Sequence, residues 1–351
     1  MILPSTAFAV WILAIVSLLC LGSWANTLKL TGKWRFEYFY YDFVFGIVIC
    51  AGVAALALGS GSPQDLTFQD NLLLVGYRKM AFALGSGVVL NLGMLLLLAA
   101  VSLAGMSIAF PLTLGVALAI GAAWDFVNIK QANMPLTFIG IALLLGAVVV
   151  AALTHIRLLR IRREAAQKAL TPDPRTKSKR AKSAGAGLAI VLSAVGGIVL
   201  SMFPKILSGA TGEGGLAPYP ALVLISVAAL LSSPFFVLFF ATFPVTSTAA
   251  MPSGYLTGTA KQHLLGLAGG IVWGAGMLTS LIVADAPSAA QPSALIQYAL
   301  SNAAPLVAIA WGLLIWREFR GGDHRVQMLA AGMVVLFLTG LGMVAFALSP
   351  K

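Results

Sequence analysis

Ten times along this chain a run of about 20 mostly apolar residues appears, a pattern for which a water-soluble fold has little use. As a helix, each run is long enough to cross about 30 Å of hydrocarbon. Inside lipid every backbone amide needs an internal partner, so runs of this length form helices and not strands. The pattern predicts spans at roughly 6–27, 38–58, 79–101, 105–126, 135–155, 184–204, 219–244, 263–284, 294–316 and 327–348. Charged residues make up only 9% of the chain, against about 25% in soluble domains. The expected fold class is an all-α membrane protein of ten transmembrane helices. Met1–Ser5 has no basic residue before the first run, and that run is long enough to stay as a span, so no cleavable leader is expected. Cys20 and Cys50 fall inside apolar runs and read as small packing residues.

One stretch breaks the apolar character. From Arg157 to Lys182 there are ten Lys or Arg against Glu164 and Asp173. It divides the chain into a first part, 1–155, a basic linker, 156–183, and a second part, 184–351. With that linker in the cytoplasm, the same side also collects Lys29, Lys33, Arg35, Lys261, Arg317, Arg320 and Arg325. The other side holds only Arg78, Lys79, Lys130, Lys205 and Lys351. Basic residues concentrate on the cytoplasmic side of membrane proteins, so both termini are expected outside, in the cell membrane. The net charge of +11 therefore speaks for topology and attraction to the lipid bilayer, not for nucleic acid.

The two parts resemble each other. Leu84–Leu96 in the third span aligns without a gap on Leu267–Thr279 in the eighth, with six identities: Leu84/Leu267, Gly87/Gly270, Val89/Val272, Gly93/Gly276, Met94/Met277 and Leu95/Leu278. Phe110-Pro111-Leu112 with Trp124-Asp125-Phe126 in the fourth span matches Ala304-Pro305-Leu306 with Trp316-Arg317-Glu318-Phe319 in the ninth. Five spans per copy is an odd number, so the copies would cross the bilayer in opposite directions. Two inverted five-helix repeats are the plan of many secondary transporters that work by alternating access.

Candidate residues follow from polar groups within the spans. Asn91 stands where the other repeat has a glycine, and either bridges helices or lines a cavity. Trp273 lies mid-span, away from either interface, and either packs or stacks on a planar ligand. Gln297, Tyr298, Ser301 and Asn302 cluster before Pro305, which removes a backbone bond and frees a carbonyl near Ser301. Together these six would line a site for a small-molecule substrate. Near the cytoplasmic ends, Trp24, Asn26, Tyr41 and Asp42 are candidates for a gate or for coupling. Asp42 heads a face that continues through Gly46, Cys50 and Ala54, and Gly266, Gly270 and Gly274 form a second small-residue face. Asp42 either caps its helix or, as an ionisable residue within a span, binds a coupling proton.

Other chemistry finds little support. There is no GxxxxGK, so direct use of ATP is not expected, and Gly209–Gly215 lacks the context of a phosphate loop. His155, His263 and His324 lie far apart at span edges without metal-ligand spacing. No metal, no cofactor and no enzymatic activity are expected, and oligomeric state is open.

Leu21-Gly-Ser-Trp-Ala25, Tyr41-Asp42 opening the second span, the glycine-rich eighth span, and Trp316-Arg-Glu-Phe-Arg320 followed by Arg325 resemble the ureide permease family of the drug/metabolite transporter superfamily. The likeness runs over nearly the whole chain, and the glucose/rhamnose uptake porters share its general plan. It implies the drug/metabolite transporter fold and proton-coupled uptake of oxo-derivatives of nitrogen heterocycles such as allantoin or uracil. Trp24 and Asp42 match family motif residues, and Glu318 matches a glutamate after the ninth span. Plant members carry a Walker-like segment in the central loop, and this chain has none. Sugar uptake, an uncoupled facilitator and a membrane assembly subunit are the alternative readings.

Overall fold

The computed structural model describes residues 1–60, 66–128, 133–170, 184–212, 214–245 and 253–349, except the side chains of 169, 170 and 184–186. Lys130, Lys351, Glu213 of the Gly209–Gly215 connection and residues 171–183 of the basic linker lie outside that set.

The described residues form only helices. In chain order they are α1 (Ala7–Ser23), α2 (Asn26–Leu30), α3 (Phe36–Ala57), α4 (Phe68–Leu74), α5 (Tyr77–Ala104), α6 (Met106–Asn128) and α7 (Met134–Leu170). Then follow α8 (Ala184–Thr211), α9 (Pro218–Thr242), α10 (Ser253–Leu256), α11 (Ala260–Asp285), α12 (Ala294–Asn302), α13 (Ala304–Ala310) and α14 (His324–Leu348), with a π-helical turn Trp311–Ile315 after α13. Among them nine are long and apolar enough to cross a membrane, and the number is ten if α12 and its continuation to Ile315, bent by 43°, count as one span. The protein is a multi-pass membrane protein.

The predicted spans meet these helices closely, with two differences that matter. First, α7 does not stop near 155 but continues to Leu170, so the basic linker begins as helix. No proline or glycine interrupts 156–170, and Glu164 and Lys168 stand at the i,i+4 spacing that favours a helix. Second, the ninth span is broken. Pro305 has no amide hydrogen, the α12 ladder ends at Asn302, and the Ala303 amide reaches only the Leu300 carbonyl at 3.4 Å.

The helices gather into two compact units, and each draws on both parts of the sequence. The first comprises Met1–Leu95 with Val199–Val307, the second Leu96–Ile198 with Ala308–Lys351. In the first unit the tightest seam joins α3 and α11. A Cβ on Gly270 would collide with the Phe43 carbonyl and with Gly46, and one on Gly274 would come within 3.0 Å of the Cys50 Cβ. The small-residue faces expected on the two spans are thus packed against each other. They pair in parallel register, Asp42 with Gly266, Gly46 with Gly270, Cys50 with Gly274.

In the second unit α7 runs against α14. Gly140 meets Val344, Gly340 meets Leu144, and Arg157 pairs with Asp323, whose side chain also caps α14 by accepting from the Val326 amide. The positions run in opposite directions, so the two helices are antiparallel. Glu318 closes the start of α6: its carboxylate accepts from the Met106 and Ser107 amides at 2.9 and 2.7 Å. The residue singled out by family likeness therefore serves here as a helix cap, just after Gly105 turns the chain with φ +84°.

Candidate functional site

The seam between α3 and α11 carries a titratable cluster at its mouth. Asp42 is 4% exposed. Its Oδ1 accepts from the Tyr255 hydroxyl at 2.6 Å, and its Oδ2 lies 2.8 Å from His263 Nδ1. Neither oxygen is spent on an amide of its own helix, and Asp42 sits past the first turn of α3, whose N-cap position is Arg35. Asp42 is not the cap of α3.

Local sequence explains how the partners arrive. Thr259 and Gln262 form a capping box at the start of α11, and the Gln262 side chain reaches on to the Thr31 carbonyl at 3.3 Å. This fixes the first turn of α11 and with it His263. Gly266, one turn on, brings the helices together: a Cβ there would lie 2.5 Å from the Asp42 Cβ. Only hydrogen at position 266 leaves room for the carboxylate.

Aromatic rings surround the histidine. Trp34 stands at 4.9 Å and 75° to the His263 ring, and Tyr255 at 4.8 Å and 82°. Trp34 also stacks on Tyr255 at 6.3 Å, and Tyr41 meets Tyr255 edge-on at 5.9 Å. Burial, and secondly the hydrogen bond to Asp42, push the Tyr255 hydroxyl well above the usual phenol value, so it remains a donor. Tyr41 and Asp42 of the expected gate group are thus in one cluster, completed by Tyr255, His263 and Trp34.

By spacing to the other histidines His263 is only a span-edge residue, but its own helix carries a signal. Positions 263, 266, 270 and 274 fall on one helical face, so His263 heads the glycine stripe of α11 as Asp42 heads the stripe of α3. A second buried acid, Glu37, is paired with Arg35 at 2.7 Å and is not available in the same way.

The remaining candidates separate into five places. Trp24 and Trp273 both pack on Phe43, with ring centroids 4.8 and 6.4 Å away, and both are buried. Asn26 donates to the Ser23 carbonyl at the corner before α2. Asn91 is 1% exposed and bridges three helices. The Tyr40 hydroxyl donates to its Oδ1 at 2.7 Å, its amide donates to Ser232 Oγ at 2.8 Å, and Ser233 donates to it at 3.2 Å.

Gln297 and Ser301 come together in a small cavity between α1, α11 and α12. Ser17, Ser280, Ala14, Val283, Pro292 and Leu300 complete its wall. Its free volume is about 10 Å³, about the need of one ordered water. No charged side chain lines it. On the same helix Asn302 donates to the Tyr298 carbonyl at 2.9 Å, beside the break.

No family model matches the chain. Two curated relatives do: "Ureide permease 3" and "Ureide permease 1" of Arabidopsis thaliana, each 28% identical over 145 residues, or 40% of this chain. The match spans about two fifths of the relatives' own length, 42% and 37% respectively.

Proposed function

We propose that this protein is a proton-coupled secondary transporter of a small, neutral, planar nitrogen compound, of the class of ureides and oxo-heterocycles such as allantoin and uracil. The observation that carries this reading is the Asp42–His263 pair at the α3–α11 seam, with Tyr255 on the second carboxylate oxygen. The names of the two relatives support the solute class.

The chemistry of the pair suits coupling. With His263 neutral, the cluster carries one uncompensated negative charge in a poorly hydrated place, which is costly. One proton on the imidazole turns it into an ion pair whose N–H points at Asp42 Oδ2. The proton therefore ties the first turn of α11 to α3, and its loss loosens that tie. A site that binds a proton in one conformation and releases it in another is what coupling to a gradient requires.

The solute would bind at the broken ninth span, where Gln297, Ser301, Ser17 and Ser280 offer neutral hydrogen-bonding groups. In the conformation described the cavity is too small for a heterocycle, so the reading requires movement at the α12 break to open it. Two inverted five-helix repeats, with the basic linker in the cytoplasm and both termini outside, provide the alternating access.

The test is uptake of labelled allantoin, uracil and glucose by proteoliposomes, with and without an inward proton gradient. Accumulation of allantoin or uracil above equilibrium, only with the gradient, is expected. Accumulation of glucose alone, or uptake indifferent to the gradient, would overturn the proposal.

A further inference from the structure

The outer face of α7 changes chemistry along one straight line. Leu145, Val149, Leu153 and Ile156 follow at steps of three or four and are 45%, 56%, 49% and 40% exposed. Arg160 and Arg163 continue the same stripe one turn further, and both are exposed. The opposite face, with Leu144, Ala147, Ala151, Thr154 and Leu158, is buried within its own unit.

The charged end of this line is held stiff. Arg157 pairs with Asp323, and the Arg162 guanidinium donates to the Glu318 carbonyl at 2.6 Å and to the Arg320 carbonyl at 3.4 Å. These bonds keep α7 helical past its apolar part and point Arg160 and Arg163 away from the protein. Glu164 is the only acid on α7, and Asp323 and Glu318 are engaged with Arg157 and the start of α6.

We infer that this face is a binding site for one anionic phospholipid. An acyl chain lies along Leu145–Ile156, and the phosphate sits between Arg160 and Arg163, where guanidinium groups offer paired donors to phosphate oxygens. An apolar stripe ending in two cations is the two-part chemistry of such a lipid at the boundary of the hydrocarbon. A second copy of this chain fits poorly. Two copies inserted with the same orientation would set Arg160 and Arg163 against their own equivalents.

Intact-protein mass spectrometry tests this, with the full chain in neutral detergent and phosphatidylglycerol or phosphatidylcholine added at equal concentration. Wild type is expected to retain phosphatidylglycerol several-fold better, and each arginine replaced by glutamine to reduce that preference by about fivefold. Arg160→Gln/Arg163→Gln should abolish it, and Arg160→Lys/Arg163→Lys should keep most of it. Should the glutamine pair not fold, the single Arg163→Gln gives the same reading. Equal retention of the two lipids by wild type, or a preference that survives the glutamine variants, would overturn the site. So would displacement of the lipid by millimolar inorganic phosphate, or a dimer that excludes lipid from this face.

Discussion

At the scale of single residues, the site depends on what glycine leaves empty. Gly266→Ala places a methyl group on the Asp42 Cβ and should push the carboxylate off His263 and Tyr255, lowering proton-driven uptake at least tenfold. Gly270→Ala meets backbone instead of a side chain, which cannot yield, and should cost about 1–3 kcal/mol or more in stability. Gly52, on the same α3, has nothing within 4 Å of a Cβ, and Gly52→Ala should be neutral or stabilising by up to about 1 kcal/mol. Thermal unfolding in detergent separates the three. Asn91 allows a second comparison. Tyr40→Phe leaves the buried Asn91 oxygen short of a donor and should cost about 1–3 kcal/mol, with solute affinity unchanged; a weakened affinity in that variant would move Asn91 into the substrate site.

Much of this could be read from spacing, because spacing fixes faces. The stripes headed by Asp42 and by Gly266 were visible in the sequence, and Pro305 announced the break in the ninth span. What spacing does not supply is which faces meet. Asp42 and His263 are 221 residues apart, and only the packing of Gly46 on Gly270 sets their register. Asn91 shows the same limit: its replacement of a glycine marked it as inward-facing but could not tell a cavity from the hydroxyls of Tyr40, Ser232 and Ser233.

At the scale of elements, two helix ends are defined by ionic contacts that pH can probe. Asp323 caps α14 and is held to about 2, first by its bond to Arg157 and further by the Val326 amide. Its folded value lies below the unfolded one, near 3.9, so this stabilisation is fully present above about pH 4 and is lost as pH falls toward 2. Asp323→Asn should lower the melting temperature at pH 7, and its difference from wild type should shrink between pH 4 and 2. A difference constant across that range would mean that the ion pair contributes nothing. The broken span makes a parallel case. Pro305→Ala restores an amide at the break and should straighten α12 onto its continuation, slowing solute exchange at least tenfold while the protein stays folded. An unchanged exchange rate would remove the break from the mechanism.

At the scale of the whole molecule, the proposed proton and solute sites share the first unit, Asp42–His263 at one end of α11 and Ser280 near the other. The distribution of basic residues predicts the sidedness. With Cys20 and Cys50 replaced by alanine, a membrane-impermeant thiol reagent on intact cells should label Ser349→Cys and spare Ala165→Cys; the reverse pattern would invert the topology. The most direct test of the central claim is made in proteoliposomes with Asp42→Asn and His263→Gln beside wild type. It compares accumulation of labelled solute under an inward proton gradient with exchange of label at equal solute and equal pH on both sides. The account predicts that both variants lose accumulation, their internal concentration rising no higher than the external one, while exchange continues. Accumulation that persists in Asp42→Asn would contradict it.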